Sequence, residues 1–296
     1  MTDRRATDPH GDSYLRRSAA ASDFETTFAA VDEFVVAAGP ARALSLARAW
    51  TRECETEVQA AGLDVLATLA VGKFDLAGAA ATALIEAAAA VPVSAPAEDL
   101  RWSAAHGLAC LAADHHQERR RILDELLRFH DDPDPDVRWQ VVLVLPDLAV
   151  PEQVDDDVAT AALVRRLSDP DGGVRDWAAF GVGLLRADSP EIRASLLDLL
   201  RRPEEDAAGE AAVALAQLAE PAVLPAVLAQ LDVPDVGNLW VQAAAALGDP
   251  SLLPVLQRLA NRKWAEDSVD ERDLQNALDA CRPQKGLDPD RDARGC

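Results

Sequence analysis

The chain has 296 residues, with 51 Asp and Glu against 29 Lys and Arg and a formal net charge of −22. Such a charge repels phosphate backbones, which argues against nucleic acid as a partner, and it attracts a basic protein if it serves a partner at all. No apolar run is long and uncharged enough for a membrane span, since the nearest candidate, 76–93, carries Glu86, and Cys54, Cys110, Cys281 and Cys296 form no CxxC pair; a reduced, cytoplasmic chain without metal or other cofactor fits both facts.

Taken in chain order, residues 1–21 mix Asp, Arg, Ser and Gly without periodicity and predict a disordered tail. A single solenoid domain is expected over 22–282, beginning with degenerate or capping helices at 22–74. Ser22-Asp23 caps a helix reaching Ala38, with Phe24, Phe28, Val31 and Val35 on one stripe. Gly39-Pro40 starts a second helix over 41–61 that Gly62 is expected to end, and 63–72 forms a short third.

From residue 75 onward a frame recurs: a proline, an aliphatic–Arg pair, then an Ala-rich helix closing on leucine. Its three clear copies start at Pro96, Pro133 and Pro170, each 37 residues after the last, with looser copies at Pro203 and Pro234. Periods of this size predict stacked helical pairs, an all-α right-handed solenoid rather than one central core. The first helices fall at 75–91, 116–130, 153–167, 190–201, 221–231 and 250–261. The second helices fall at 98–113, 135–149, 172–187, 205–219, 235–248 and 270–282. Turn prolines stop the first helix of each pair and turn aspartates cap the second. Residues 283–296 read as a flexible tail.

Counted from the frame proline, positions +4, +8, +11, +12 and +15 share one broad helical face. They hold only small or aliphatic residues, for example Val137, Val141, Val144, Leu145 and Leu148, and predict the packing face. Positions +6 and +10 lie opposite, where polar residues are the norm. They hold Trp102 and His106, Trp139 and Leu143, Asp176 and Phe180, then Gly209 and Val213, with Trp177 one place along.

The segments Asp132-Pro133-Asp134-Pro135-Asp136-Val137-Arg138 and Asp169-Pro170-Asp171-Gly172-Gly173-Val174-Arg175 resemble the turn and second-helix start of HEAT repeats. The likeness is nearest to the short bacterial type found in phycobilisome lyase subunits and covers roughly 76–282, weakening where Ala207-Ala208 replace the aliphatic–Arg pair. The resemblance implies a structural ladder in which the aspartate six places before the arginine pairs with an arginine: Asp132 with Arg138, Asp169 with Arg175. Ala95 stands where the first copy's aspartate belongs, which directs Arg101 to a neighbouring loop. The resemblance also implies that second helices line the concave surface. Trp102, His106, Trp139, Leu143, Trp177 and Phe180 then form either a recognition stripe or, if the N-terminal helices fold across it, part of the core.

His106 and Cys110 are one helical turn apart and His115-His116 follow, but without a second spaced pair they predict a half-buried histidine and a structural thiol, not a metal site. No Ser/His/Asp order, phosphate-binding glycine loop or His-Glu-x-x-His motif occurs, so no catalytic residue is assigned. The expected function is a binding scaffold for a protein or peptide, with a basic partner the one the charge would favour; an acidic immunity or inhibitor protein is its sharper form. The resemblance alone admits a bilin lyase-type chaperone. It also admits a HEAT-like DNA glycosylase drawing on Trp102, Trp139, Trp177, Asp147 and Asp176, which the net charge disfavours.

Overall fold

The computed structural model describes residues 11, 13–15, 24–94, 97–150, 157–202, 206–261 and 269–283. The C-terminal tail expectation at 284–296 lies outside them, as does most of the one at 1–21. Among the described residues there are helices and no strands, and no helix is long and apolar enough to cross a membrane. The fold is an all-α solenoid of stacked antiparallel helix pairs. Its chain divides into two compact units, Met1–Arg166 and Leu167–Cys296.

In the first unit α1 is Phe24–Ala38, α2 Pro40–Trp50, α3 Thr56–Val71, α4 Ala77–Ala89, α5 Glu98–Ala112, α6 Arg119–Leu126, α7 Pro135–Leu148 and α8 Val158–Arg166. The centre is α3, which packs against α2, α4 and α5; α5 continues onto α7, and α7 onto α8. Its residues 60–70 are buried apart from Thr68, as a helix apolar around its whole circumference requires.

Here the structure corrects the expected boundaries. The second helix stops at Trp50, and α3 runs straight through Gly62. Gly62 acts by its size: a Cβ there would lie 2.9 Å from Thr51 Cγ2 and 3.0 Å from the Ala47 carbonyl oxygen, so α2 crosses α3 on that bare backbone. Trp50 ends α2 inside an aromatic cluster with Phe34 and Tyr14, ring centroids 5.0 to 5.7 Å apart. Tyr14 falls in the stretch that composition reads as a tail, yet its ring is fully buried and its hydroxyl donates to the Ala61 carbonyl at 3.4 Å.

In the second unit α9 is Gly172–Leu185, α10 Pro190–Leu199, α11 Asp206–Gln217, α12 Leu224–Leu231, α13 Asn238–Leu247, α14 Leu253–Ala260 and α15 Glu271–Ala280. The second helices stack in order, α9 on α11, α11 on α13, α13 on α15. Helices α9 and α11 approach closely at Gly183, where a Cβ would sit 3.1 Å from Ala214 Cβ.

The turns behave as their residues dictate. Asp134 accepts from the Asp136 amide at 2.9 Å to cap α7, and Asp171 accepts from the Val174 amide at 3.0 Å to cap α9. The packing face is closed, with Leu100, Leu108, Val137, Val141, Leu145, Val174 and Val182 all buried. Three arginines finish helix ends from a neighbouring element. Arg128 donates to the Ala88 and Val91 carbonyls behind α4, Arg119 to those of Asp147 and Leu148 at the end of α7, and Arg193 to that of Leu218 after α11. Each brings a positive charge to the negative end of a helix dipole.

Candidate functional site

The ladder residues sit at the turn before each second helix. Arg138 Nη1 donates to the main-chain carbonyls of Asp132 and Pro133 at 2.8 and 3.1 Å, and Arg175 repeats this with Asp169 and Pro170 at 2.7 and 3.1 Å. The Asp132 carboxylate takes the arginine of the preceding copy: Arg101 Nε and Nη2 donate to its two oxygens at 2.7 and 3.2 Å. Both side chains are buried, and Asp132 also accepts from the Asp134 amide at 2.9 Å. This two-pronged bond ties α5 to the next turn and has the geometry of a fastening.

The stripe residues occupy the face opposite the packing side, one group in each unit. In the first unit Trp102 and His106 stack on α5 with centroids 4.7 Å apart and planes 5° from parallel. Phe28 of α1 meets the imidazole edge-on at 5.3 Å. Trp139 and Leu143 continue the row on α7, and all four stripe residues are half-buried. An N-terminal helix therefore reaches one end of the stripe, at His106.

Below Trp102 and His106 lies a polar chain. His106 Nδ1 is 3.2 Å from Gln140 Oε1 and Nε2 is 3.4 Å from Cys110 Sγ, so a neutral ring donates to Gln140 and accepts from the thiol. Burial holds His106 below its ordinary pKa and, with the Asp64 charge second, pushes the Cys110 thiol up to about 11. A raised thiol pKa disfavours the thiolate that nucleophilic attack requires. Asp64, on α3, is the buried carboxyl of this group. Burial raises it to about 7 against the opposing effect of a hydrogen bond from Ser103, and its Oδ1 has no hydrogen-bond partner. Among the described residues no three His, Cys, Asp or Glu side chains gather around a point where a metal would sit.

In the second unit Trp177 and Phe180 meet edge to face at 5.5 Å on α9. Phe180 is 40% exposed and Leu184, one turn on, is 60% exposed. Gly209 is buried and Val213 half-buried on α11. Two carboxylates lie beside the aromatics. Burial, then the Asp206 charge, raises Asp176, and burial, then the Asp176 charge, pushes Glu210 up to about 7. The Asp176 Oδ1 atom is shielded from solvent without a hydrogen-bond partner.

Sequence reasoning placed the aromatics but passed over Asp64, Glu210 and Phe28's contact. Asp64 had a signal, a single charge within the otherwise apolar run Ala60–Ala67. So did Glu210, which follows Asp176 by about one repeat length.

The family model described as HEAT repeats matches residues 81–183 and 160–239, together more than half of the chain. Protein YibA of Escherichia coli strain K12 is 32% identical over 106 residues, which is 36% of this chain, and YibA of Escherichia coli O157:H7 matches equally. In each case the matched stretch spans 38% of the relative's length. The X-ray structure of Escherichia coli YibA superposes with a TM-score of 0.71 at 19% identity, covering 96% of this chain and 100% of that one, a likeness of fold. With its 37-residue frame, its capped turns and its stacked helix pairs, this chain belongs to the HEAT-repeat family.

Proposed function

We propose that this protein is a non-catalytic scaffold that holds a protein or peptide segment against the second-helix face of its repeats. The observation that carries this is the placement of Trp102 and Trp139: the same position of successive copies, opposite a fully closed packing face, and half-buried rather than sealed. Half-open tryptophans in a row supply large contact area at low entropic cost, and tryptophan is enriched where interfaces concentrate their binding energy. The side chains around them do not support catalysis. The thiol is held protonated, the histidine neutral and bonded to Gln140, and the ladder charges are used up in fastening turns. The carboxylates beside Trp177 and the charge of −22 favour a basic partner and count against DNA.

The test is a Trp102→Ala, Trp139→Ala double variant compared with wild type in capture from native lysate, followed by rebinding of the purified captured protein. Loss of rebinding with a stability loss under about 2 kcal/mol supports the scaffold; a loss of about 3–5 kcal/mol for each truncation, with rebinding intact, assigns the rings to the core and refutes it.

A further inference from the structure

Asp176, Phe180 and Leu184 are spaced four apart and form one stripe along α9, with Trp177 at its edge. On α11 Asp206, Glu210, Val213 and Gln217 form a matching stripe. The two helices pack directly, and their Cβ-free contact at Gly183 brings the stripes side by side within one unit. The arrangement is apolar on one flank, with Phe180 and Leu184 the most exposed large side chains of α9, and anionic on the other.

The anionic flank lacks its counter-charge. Elsewhere in this unit some carboxylates are held by arginines, Asp188 and Glu220 by Arg193 and Asp232 by Arg258, and others by amides or hydroxyls, as Asp273 is by Asn238 and Gln242. Asp176, Asp206 and Glu210 have no such partner among the described residues. The Asp176 Oδ1 atom is withdrawn from water with no donor facing it, a desolvation cost that stays uncompensated. Burial first, and then the neighbouring carboxylate, opposes ionisation of Asp176 and of Glu210, which is pushed up to about 7. A cation placed beside the Asp176 and Glu210 carboxylates would supply the missing counter-charge and offset their mutual repulsion. These carboxylates do not gather as a metal-ligand group, and a phosphate-bearing ligand would be repelled.

We infer that this face seats an arginine or lysine side chain of a basic protein segment, its charge taken by Asp176 and Glu210 and its methylene stem by Trp177, Phe180 and Leu184. This rests on the scaffold function proposed above and gives the partner its chemistry. A guanidinium or ammonium group has donors for the half-buried Asp176 and Glu210 carboxylates, and the aromatic edge covers the stem as long cationic side chains require. Neighbouring basic residues of the segment would be attracted by the surrounding negative field.

The experiment is a calorimetric titration of the full chain with an alternating Arg-Leu octapeptide, at low salt and at about 0.5 M salt. Wild type should bind at low salt; Asp176→Asn, Glu210→Gln and Phe180→Ala should each weaken binding by about tenfold or more. Glu271→Gln, on the exposed start of α15, should leave it unchanged. Thermal melts confirm that every variant is folded. Equal binding by all variants would reduce the effect to general acidity and overturn the seat, as would failure of the wild type to bind. Spermine binding as tightly as the peptide, with Phe180→Ala without effect, overturns it too. If the seat fails while the Trp102, Trp139 pair still controls rebinding of the captured protein, the scaffold function stands without this partner chemistry.

Discussion

Replacing Asp64 by asparagine should stabilise the protein, and by an amount that grows with pH. The carboxyl is buried on α3, and burial outweighs the Ser103 hydrogen bond to raise its pKa from 3.8 to about 7. Between those values the unfolded chain has lost the proton while the folded chain keeps it. Stability therefore falls as pH rises from about 4 and levels off above about 7. At about 1.4 kcal/mol for each pH step, the full penalty is about 4 kcal/mol above neutrality and about 2 kcal/mol at pH ~5.5. An asparagine side chain has the same shape, can keep a bond to Ser103 and leaves one polar atom unpaired just as the carboxyl does, so charge is the main difference. Urea unfolding of both proteins at pH ~5.5 and ~8.5 should show the advantage of Asp64→Asn growing by about 2 kcal/mol. Other titrating groups are common to both and cancel in the difference. An advantage that does not change with pH, or a variant less stable at pH ~8.5, would show that the Asp64 carboxyl is ionised and compensated in the folded state.

Two further perturbations probe the packing. Arg101→Ala strands the Asp132 charge in a buried turn and should cost about 3–5 kcal/mol in urea unfolding, part of it recovered by adding Asp132→Asn, which keeps an acceptor for the Asp134 amide. A midpoint equal to wild type would show the pair contributes nothing. Gly62→Ala places a methyl 2.9 Å from Thr51 Cγ2 and 3.0 Å from the Ala47 carbonyl oxygen and the Thr51 amide nitrogen, and should lower stability by about 1–3 kcal/mol despite the better helix propensity of alanine. A stabilised variant would show that α2 moves aside at little cost.

Much of the architecture was legible without coordinates because repeat solenoids are built from local instructions. The proline that ends one helix, the aspartate that caps the next and the small residues at +4 and +8 act within a few positions of each other, and a 37-residue period repeats them. What the sequence by itself determined was therefore the helix pairs of the repeats, their capped turns, the packing face and the aromatic positions opposite it. Contacts between distant segments were decided only in three dimensions. Gly62 is a mid-helix residue rather than a stop because α2 crosses there, a close approach that no local propensity encodes. Arg101 finds the carboxylate of Asp132, 31 residues on, because stacking within the first unit places α5 against the turn that precedes α7. Asp64 becomes a buried carboxyl because α3 is enclosed by α2, α4 and α5, and Phe28 reaches His106 because α1 packs on that same core. How far each stripe residue opens to solvent depends on those neighbours too, so Trp102 and Phe180 share a sequence logic but differ in exposure.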